Sequence, residues 1–205
     1  MLHFVLIIAF VTLFAMPCFA LDAEQEVTRI QRAYEDIRDL SGNFTQKSFI
    51  KDLKRTETYK GEFFIKARKM KWEYGGDRPQ TVYINGDEIV VHQKKERQAF
   101  RARFERSTYG QAAIALLGGF GRISEEFEVT AQKDRLLLRP KMPMGNVVRV
   151  ELTLGDARFP IVSLTIVDTS SNRVEVRLRN VKINQDINDR VFDFVPSEGV
   201  TVIQQ

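Results

Sequence analysis

The stretch Gly61–Tyr74, with the sequence GEFFIKARKMKWEY, decides which fold this chain can adopt. In its second half, apolar and charged residues alternate, and a period of two places the two sets on opposite faces of a β-strand. The sets are Met70, Trp72 and Tyr74 on one side and Lys69, Lys71 and Glu73 on the other. One bulky apolar face and one charged face predict a sheet wrapped around an apolar interior rather than an enzyme motif.

Around this stretch, short runs of strand-forming residues alternate with turn signals such as Asn85–Gly86 and Gly155–Asp156. Many strands joined by short turns predict an antiparallel meander, and hence a mainly β (α+β) fold. The predicted strands are Phe44–Ile50, Glu57–Ala67, Lys69–Tyr74, Thr81–Asn85, Glu88–Gln93, Gln98–Phe104, Phe127–Gln132, Arg135–Arg139, Val147–Leu154, Ile161–Asp168, Arg173–Ile183 and Val191–Phe194.

Two segments have helical character instead. Asp22–Leu40 repeats apolar residues at helical spacing, with Asp22 as the predicted N-cap and Ser41–Gly42 as the predicted end. Tyr109–Gly121, with the sequence YGQAAIALLGGFG, favours a helix with almost no polar face, followed by glycines that let the backbone hinge. This second helix is either buried in an ordinary core or covers a cavity.

Residues 1–20 have the pattern of a secretory signal peptide. Phe4–Met16 is an uncharged apolar run, and Cys18–Phe19–Ala20 predicts cleavage before Leu21. A membrane anchor is the alternative, although the run is short and Pro17 interrupts it. We therefore expect a signal peptide at residues 1–20 and a single domain over residues 21–205, exported to a Gram-negative periplasm.

The composition narrows the possible functions. The one cysteine lies in the predicted signal, so we expect the exported chain to contain no disulfide, reactive thiolate or cysteine-bound metal. The net charge of +4 is compatible with anionic surfaces or acidic partners, whereas export argues against nucleic acid. His92 has no acidic or nucleophilic neighbour in sequence, and catalytic or phosphate-binding motifs are absent from the sequence. We expect neither an enzyme nor a bound cofactor or metal.

Several short motifs follow one another along the chain. They are Phe44–Thr45–Gln46, Gly61 with Phe63, Met70–Tyr74, Pro79–Gln80, Asn85–Gly86, Leu116–Leu117–Gly118–Gly119, Leu136–Lys141 and Phe192–Val200. In their order and spacing, these motifs resemble the periplasmic outer-membrane lipoprotein carrier family LolA.

The resemblance implies a strongly curved antiparallel sheet, an incomplete β-barrel covered by lid helices, whose cavity shelters acyl chains. It implies that Asp22–Leu40 and Tyr109–Leu117 supply the lid. The residues expected to line the cavity are Met70, Trp72, Tyr74, Phe63, Ile114 and Leu117. In the family, an arginine followed by proline hydrogen-bonds the lid and holds it shut.

That latch has no unambiguous counterpart here. The proline is missing, and the interval from Gly61 to Trp72 is one residue shorter than the family pattern. Lys66 and Arg68 both share the parity of Trp72, so both face inward in the absence of a bulge. We expect Arg68 to be the latch, because a planar guanidinium reaches carbonyls at a helix end better than an ammonium does.

By this resemblance the protein is a monomeric carrier of lipoprotein acyl chains. It would receive lipoproteins from an inner-membrane ABC transporter of the LolCDE type and deliver them to an outer-membrane acceptor of the LolB type. Two alternatives stay open: a carrier of another lipid or a glycolipid on the same fold, and an envelope-stress sensor module similar to RseB. An apolar wall selects ligands by the length and volume of their chains and makes no contact that distinguishes one headgroup from another.

Overall fold

The computed structural model describes residues 22–104, 123–132 and 135–205. Within these ranges the chain forms helix α1 (Ala23–Asp36), a sheet, a four-residue helix α2 (Ile123–Glu126) and a short 3-10 helix (Asp189–Phe192). The strands are β1 (Asp39–Ile50), β2 (Arg55–Lys66), β3 (Lys69–Tyr74), β4 (Gln80–Asn85), β5 (Glu88–Gln93), β6 (Gln98–Arg103), β7 (Phe127–Gln132), β8 (Arg135–Pro140), β9 (Val147–Leu154), β10 (Ile161–Asp168), β11 (Arg173–Ile183) and β12 (Thr201–Gln204).

The strands described belong to one twelve-stranded sheet in the order β12-β6-β5-β4-β3-β2-β1-β11-β10-β9-β8-β7. Neighbours are antiparallel, except that β12 runs parallel to β6. The outermost strands β12 and β7 do not pair with each other, so the part of the sheet described is open. The mainly β fold with a curved antiparallel sheet is confirmed, and the open edge agrees with the incomplete β-barrel that the resemblance implies.

One face of the sheet carries the core. In β3 and at the end of β2, buried side chains alternate with less buried ones, as the pattern of Gly61–Tyr74 predicts. We call the face that bears Trp72 the inner face and the face that bears Lys71 the outer face. The core continues along the inner face into β8 to β11, where Leu136, Val150 and Leu164 are fully buried.

Helix α1 lies against this core through Val27, Ile30 and Ala33. The Asp22 carboxylate accepts hydrogen bonds from the backbone N–H groups of Glu24 and Gln25, so the predicted N-cap is confirmed. The predicted end at Leu40 is wrong, since the helix ends at Asp36. From Asp39 onward the backbone pairs with both β2 and β11, and this pairing overrides the helical periodicity.

The C-terminal part of the chain also differs from the prediction. Val191–Phe194 was expected to be a strand, but Asp189–Phe192 forms a 3-10 helix capped by the Asn188 side chain. The segment 184–200, between β11 and β12, crosses the outer face, where Phe192 is buried and the Phe194 ring lies 5.6 Å from that of Tyr83. Strand β12 then completes the edge beside β6, a pairing that the sequence did not indicate.

Candidate functional site

The centre of the inner face is a cluster of aromatic rings. Trp72 is fully buried, with the Phe63 ring stacked on it at 5.3 Å between centroids and the Phe44 ring edge-on at 4.7 Å. Tyr74 meets Phe44 edge-on at 4.9 Å. Aromatic pairs in these geometries stabilise a fold by more than the burial of their apolar area alone, so the cluster is a rigid part of the inner face.

Gly61 makes room for this cluster. It pairs with Phe44 on one side and Tyr74 on the other. A Cβ atom at this position would lie 1.8 Å from the carbonyl oxygen of Glu73 and 2.8 Å from the Phe44 ring. Because neither approach is sterically possible, only glycine lets the three strands converge behind the rings.

Four of the residues predicted to line the cavity lie together on the inner face. Met70, Trp72, Tyr74 and Phe63 all belong to the buried core cluster. The Trp72 indole Nε1 has no hydrogen-bond partner among the described residues. The Tyr74 hydroxyl donates to the Gln46 side-chain oxygen at 3.0 Å, and burial raises the Tyr74 pKa well above its ordinary value. The other two predicted lining residues, Ile114 and Leu117, lie outside the described residues, as does the lid segment Tyr109–Leu117.

Next to this cluster, a cavity of about 430 Å³ opens at one end of the inner face. Its floor is apolar and its rim carries uncharged polar side chains and two charged ones. The floor consists of the Tyr74 ring, Val82, Ile89 and Val91, and the rim of Gln46, Ser48, Tyr59, Arg78, Pro79, Gln80, Gln93 and Glu96. The sequence analysis did not identify this rim, although the polar residues Gln80 and Gln93 share the inward parity of Val82 and Val91 and could have been found from it.

A second groove adjoins the first at Tyr59 and Arg78. Here the Tyr59 hydroxyl donates a short hydrogen bond to the Glu57 carboxylate. This bond lowers the pKa of Glu57, with smaller contributions from the charges of Arg55 and Arg78, and it raises the pKa of Tyr59. The mouth of the cavity thus holds a carboxylate that stays ionised at neutral pH.

The two latch candidates do not lie on the inner face. Lys66 donates to the carbonyl oxygen of Ile187 at 2.7 Å and forms an ion pair with Asp189 at 2.8 Å. Arg68 pairs with Asp87 at 2.7 Å, and its side chain is 76% exposed. The inward orientation was inferred from a shared parity with Trp72, and it is wrong because the turn between β2 and β3 interrupts the alternation. A contact with Tyr109–Leu117 stays a prediction, because that segment is outside the described residues.

Asp39 anchors the segment that Lys66 touches. Its carboxylate is almost fully buried and accepts hydrogen bonds from the backbone N–H groups of Gln185 at 2.8 Å and Ile187 at 3.3 Å. Lys66 and Lys69 together lower the pKa of Asp189, first through their hydrogen bonds and then through their charge. The outer-face cations of β2 and β3 therefore hold the C-terminal segment in place.

The described residues contain no group of three or more His, Cys, Asp or Glu side chains arranged to hold a metal ion. His92 lies on the outer face, 5.4 Å from the Phe194 ring, and its pKa is lowered by burial and, less strongly, by the charge of Lys94. Among the described helices, none has the length and apolar character needed to cross a membrane.

Two proteins that share a name are similar to this chain over most of its length. A protein named outer-membrane lipoprotein carrier protein from Alkalilimnicola ehrlichii is 30% identical over 207 residues, which cover 96% of this chain and 95% of that protein. A protein of the same name from Halorhodospira halophila is 26% identical and covers 87% of this chain, with 86% of its own length matched.

Solved structures agree on the fold. A LolA superfamily protein from Nitrosomonas europaea matches with a TM-score of 0.52 at 12% identity, over 85% of this chain and 99% of that chain. An uncharacterized conserved protein from Thermus thermophilus matches with a TM-score of 0.55 at 10% identity, over 89% and 99%. The family model described as outer membrane lipoprotein carrier protein LolA matches residues 35–195. The chain therefore belongs to the LolA family.

Proposed function

We propose that this protein is a periplasmic carrier that shelters the acyl chains of lipoproteins on its apolar inner face and shuttles them from the inner to the outer membrane. The observation that carries the proposal is the continuous core of the inner face, which runs from the Trp72 cluster to α1 and opens at one end into a cavity. The relatives named as lipoprotein carriers support the same cargo.

The physics of the cargo requires such a surface. An acyl chain in water costs about 0.8 kcal/mol per CH₂, which is on the order of 10 kcal/mol for one chain. A lipoprotein therefore leaves a membrane only into another apolar environment. Transfer breaks and forms no covalent bond, so the function requires no catalytic residue, cofactor or metal.

The remaining expectations are part of the same proposal. The mature chain is a single domain over residues 21–205 that is exported by the signal at residues 1–20 and works as a monomer. Its partners are an inner-membrane transporter of the LolCDE type and an acceptor of the LolB type. Met70, Trp72, Tyr74, Phe63, Ile114 and Leu117 line the acyl-chain site.

In the structure described, Trp72 is 0% exposed. An acyl chain consequently reaches the indole only when the elements over the inner face move apart. We therefore expect a closed, ligand-free state and an open, loaded state, with the balance set by the difference in their affinity for acyl chains.

Native mass spectrometry of the protein purified from its own periplasm tests the proposal. We expect a bound species with the mass of a triacylated lipoprotein. A glycolipid mass would favour the other lipid carrier, and a complex with an unacylated protein would favour a sensor module.

Tryptophan fluorescence gives an independent test, because Trp72 is the single tryptophan of the chain. Titration with a palmitoylated lipopeptide should shift or quench its emission, whereas the same peptide without acyl chains should not. Unchanged emission at saturating lipopeptide would contradict an acyl-chain site at Trp72.

A further inference from the structure

A row of glutamine side chains crosses the mouth of the inner face. Along the register, Tyr74 pairs with Gln80, Gln80 with Gln93, and Gln93 with Gln98. Directly paired residues on neighbouring strands point to the same side, with Cβ atoms about 5 Å apart. The amides of Gln80 and Gln93 therefore stand side by side on the rim of the cavity, where both are half-buried.

The next inner row is entirely apolar. It consists of Phe63, Trp72, Val82, Val91 and Phe100, each paired with the next across the strands. Because side chains on one face are two residues apart, this row lies about 7 Å deeper than the glutamine row. The polarity of the site thus changes abruptly, from amides at the mouth to aromatic and aliphatic groups behind them.

The rim also has unused hydrogen-bonding capacity. The Gln46 amide is occupied, since it donates to Ser48 at 3.1 Å and accepts from Tyr74. By contrast, the side chains of Gln80, Gln93 and Arg78 form no hydrogen bond or ion pair with any residue that the structure describes. At the rim, where Gln80 and Gln93 are partly buried and Arg78 is exposed, these donors are available to a ligand that supplies acceptors.

We propose that Gln80 and Gln93, together with Arg78, bind the ester and amide carbonyl groups that join the acyl chains of a lipoprotein to its N-terminal cysteine. This inference rests on the proposed carrier function and adds a polar subsite to it. The acyl chains extend from the glutamine row toward Trp72, and the polypeptide leaves through the mouth into water. The subsite therefore binds the cargo at the boundary between its acyl chains and its polar linkage groups.

The charge of the rim favours neutral carbonyls over a phosphate headgroup. Among the residues that the structure describes, Arg78 is the one basic side chain that lines the cavity, and Glu96 lines the same rim. Glu57 stands in the adjoining groove beside Arg78. A phosphate would meet at least one of these carboxylates, whereas an ester carbonyl accepts from an amide or guanidinium without adding charge.

A pair of matched lipopeptides tests the subsite. One carries palmitoyl chains on its glyceryl cysteine through ester bonds, and the other carries chains of equal length through ether bonds, which removes the carbonyl acceptors. Affinities are measured by titration of Trp72 emission. We expect the wild-type protein to bind the ester lipopeptide roughly tenfold more tightly, as for one or two net hydrogen bonds.

Substitutions in the glutamine row test whether these residues cause the preference for the ester lipopeptide. Gln80→Leu/Gln93→Leu should reduce the ester-to-ether ratio to about one, and the ratio cancels any general gain in apolar affinity from leucine. Gln93→Glu, which replaces donors by a charge, should reverse or abolish the ester preference while leaving the ether lipopeptide bound. Gln132→Leu, at an exposed position on the distant strand β7, is the matched control and should keep the wild-type ratio.

The outcomes separate the two proposals. Equal affinity of the wild type for both lipopeptides, or a ratio that survives in Gln80→Leu/Gln93→Leu, overturns the subsite and leaves the carrier function standing. Failure of the wild type to bind either lipopeptide overturns the carrier function and the subsite with it. A wild-type preference that is lost in both row variants and kept in Gln132→Leu supports the subsite.

Discussion

The ring of Phe44 on β1 meets the indole of Trp72 on β3 edge to face, with centroids 4.7 Å apart and planes inclined at 64°. The two strands are not neighbours, since β2 runs between them. The contact is possible because β2 contributes Gly61 at the position opposite Phe44. One glycine therefore joins aromatic side chains from three strands into the wall that we assign to the cargo.

Trp72→Ala should lower the free energy of unfolding by about 3–5 kcal/mol, because it removes a fully buried aromatic side chain and leaves a cavity. Urea unfolding measures this change. Trp72→Phe keeps most of the contacts with Phe44 and Phe63 and should cost markedly less. Equal stability of the wild type and Trp72→Ala would contradict the packing described. Because Trp72→Ala is so disruptive, any loss of lipopeptide binding in this variant should be normalised to the folded fraction.

Gly61→Ala should be poorly tolerated, whereas Gly75→Ala should be nearly neutral. A Cβ atom on Gly61 meets the Glu73 carbonyl oxygen at 1.8 Å, while one on Gly75 lies 3.7 Å from the nearest such atom, the Lys60 oxygen. Forcing β2 and β3 apart should cost at least about 1–3 kcal/mol, as overpacking of a core does. Thermal unfolding of the two variants checks the difference, and comparable midpoints would refute it.

Asp39→Asn should loosen the C-terminal segment. Asparagine keeps one acceptor oxygen for Gln185 and Ile187 in place of two and loses the charge, so we expect a cost of about 1–3 kcal/mol. Limited proteolysis should then cut between residues 184 and 188 faster than in the wild type. Asp36→Asn is the matched control, because its side chain is exposed. Identical cleavage rates in both variants would argue against Asp39 as the anchor.

Lys66→Met should destabilise the protein more than Arg68→Met does, although the sequence favoured Arg68 as the more important residue. Lys66 holds Ile187 and Asp189, while the pair of Arg68 with Asp87 is exposed and contributes little. We expect Lys66→Met to lower the unfolding midpoint and Arg68→Met to leave it unchanged. Lipoprotein release from spheroplasts and transfer to outer-membrane vesicles tests the latch. Poor transfer by Arg68→Met would restore that role to Arg68, and normal transfer by both would remove it from both.

Stability should depend on pH through His92. Burial lowers its pKa below the ordinary value of 6.5, so the unfolded chain binds a proton at pH values where the folded protein does not. The contribution of His92 to stability is complete above the unfolded pKa and is lost as the pH falls through the lower, folded pKa. Between pH 7 and pH 5, the free energy of unfolding should therefore fall less in His92→Gln than in the wild type. Parallel curves for the two proteins would contradict this assignment.

The sequence predicted the parts of the fold that a local pattern determines. The alternation of Lys69–Tyr74 fixed which side chains point inward, and the turn at Asn85–Gly86 placed the β4–β5 hairpin. The parts that depend on distant partners were missed. The helix was extended into β1 because Leu40 continues its apolar stripe, and only the pairing with β2 and β11 shows that it belongs to a strand.

The same distinction applies to the site. Met70, Trp72 and Tyr74 were identified because bulky apolar residues on one parity mark a buried face, whereas Phe63 was expected only from the family resemblance. Lys66 and Arg68 were misplaced because Ala67 has a positive φ of 51° in the turn, which no residue in the sequence announces. The glutamine row was missed because the sequence does not show which strands pair. Only the register of β4 and β5 places Gln80 beside Gln93.

An open sheet has a mechanical property that a closed barrel lacks. In a barrel, strand number and shear fix the radius. Strands β12 and β7 end the described sheet without pairing to each other. We therefore expect that small changes in twist at many strand pairs can change the curvature of the sheet. Cargo with more or longer chains can then be accommodated by flattening the whole sheet slightly, at the cost of few broken hydrogen bonds. We therefore expect the volume available to the cargo to depend on the curvature of the whole sheet.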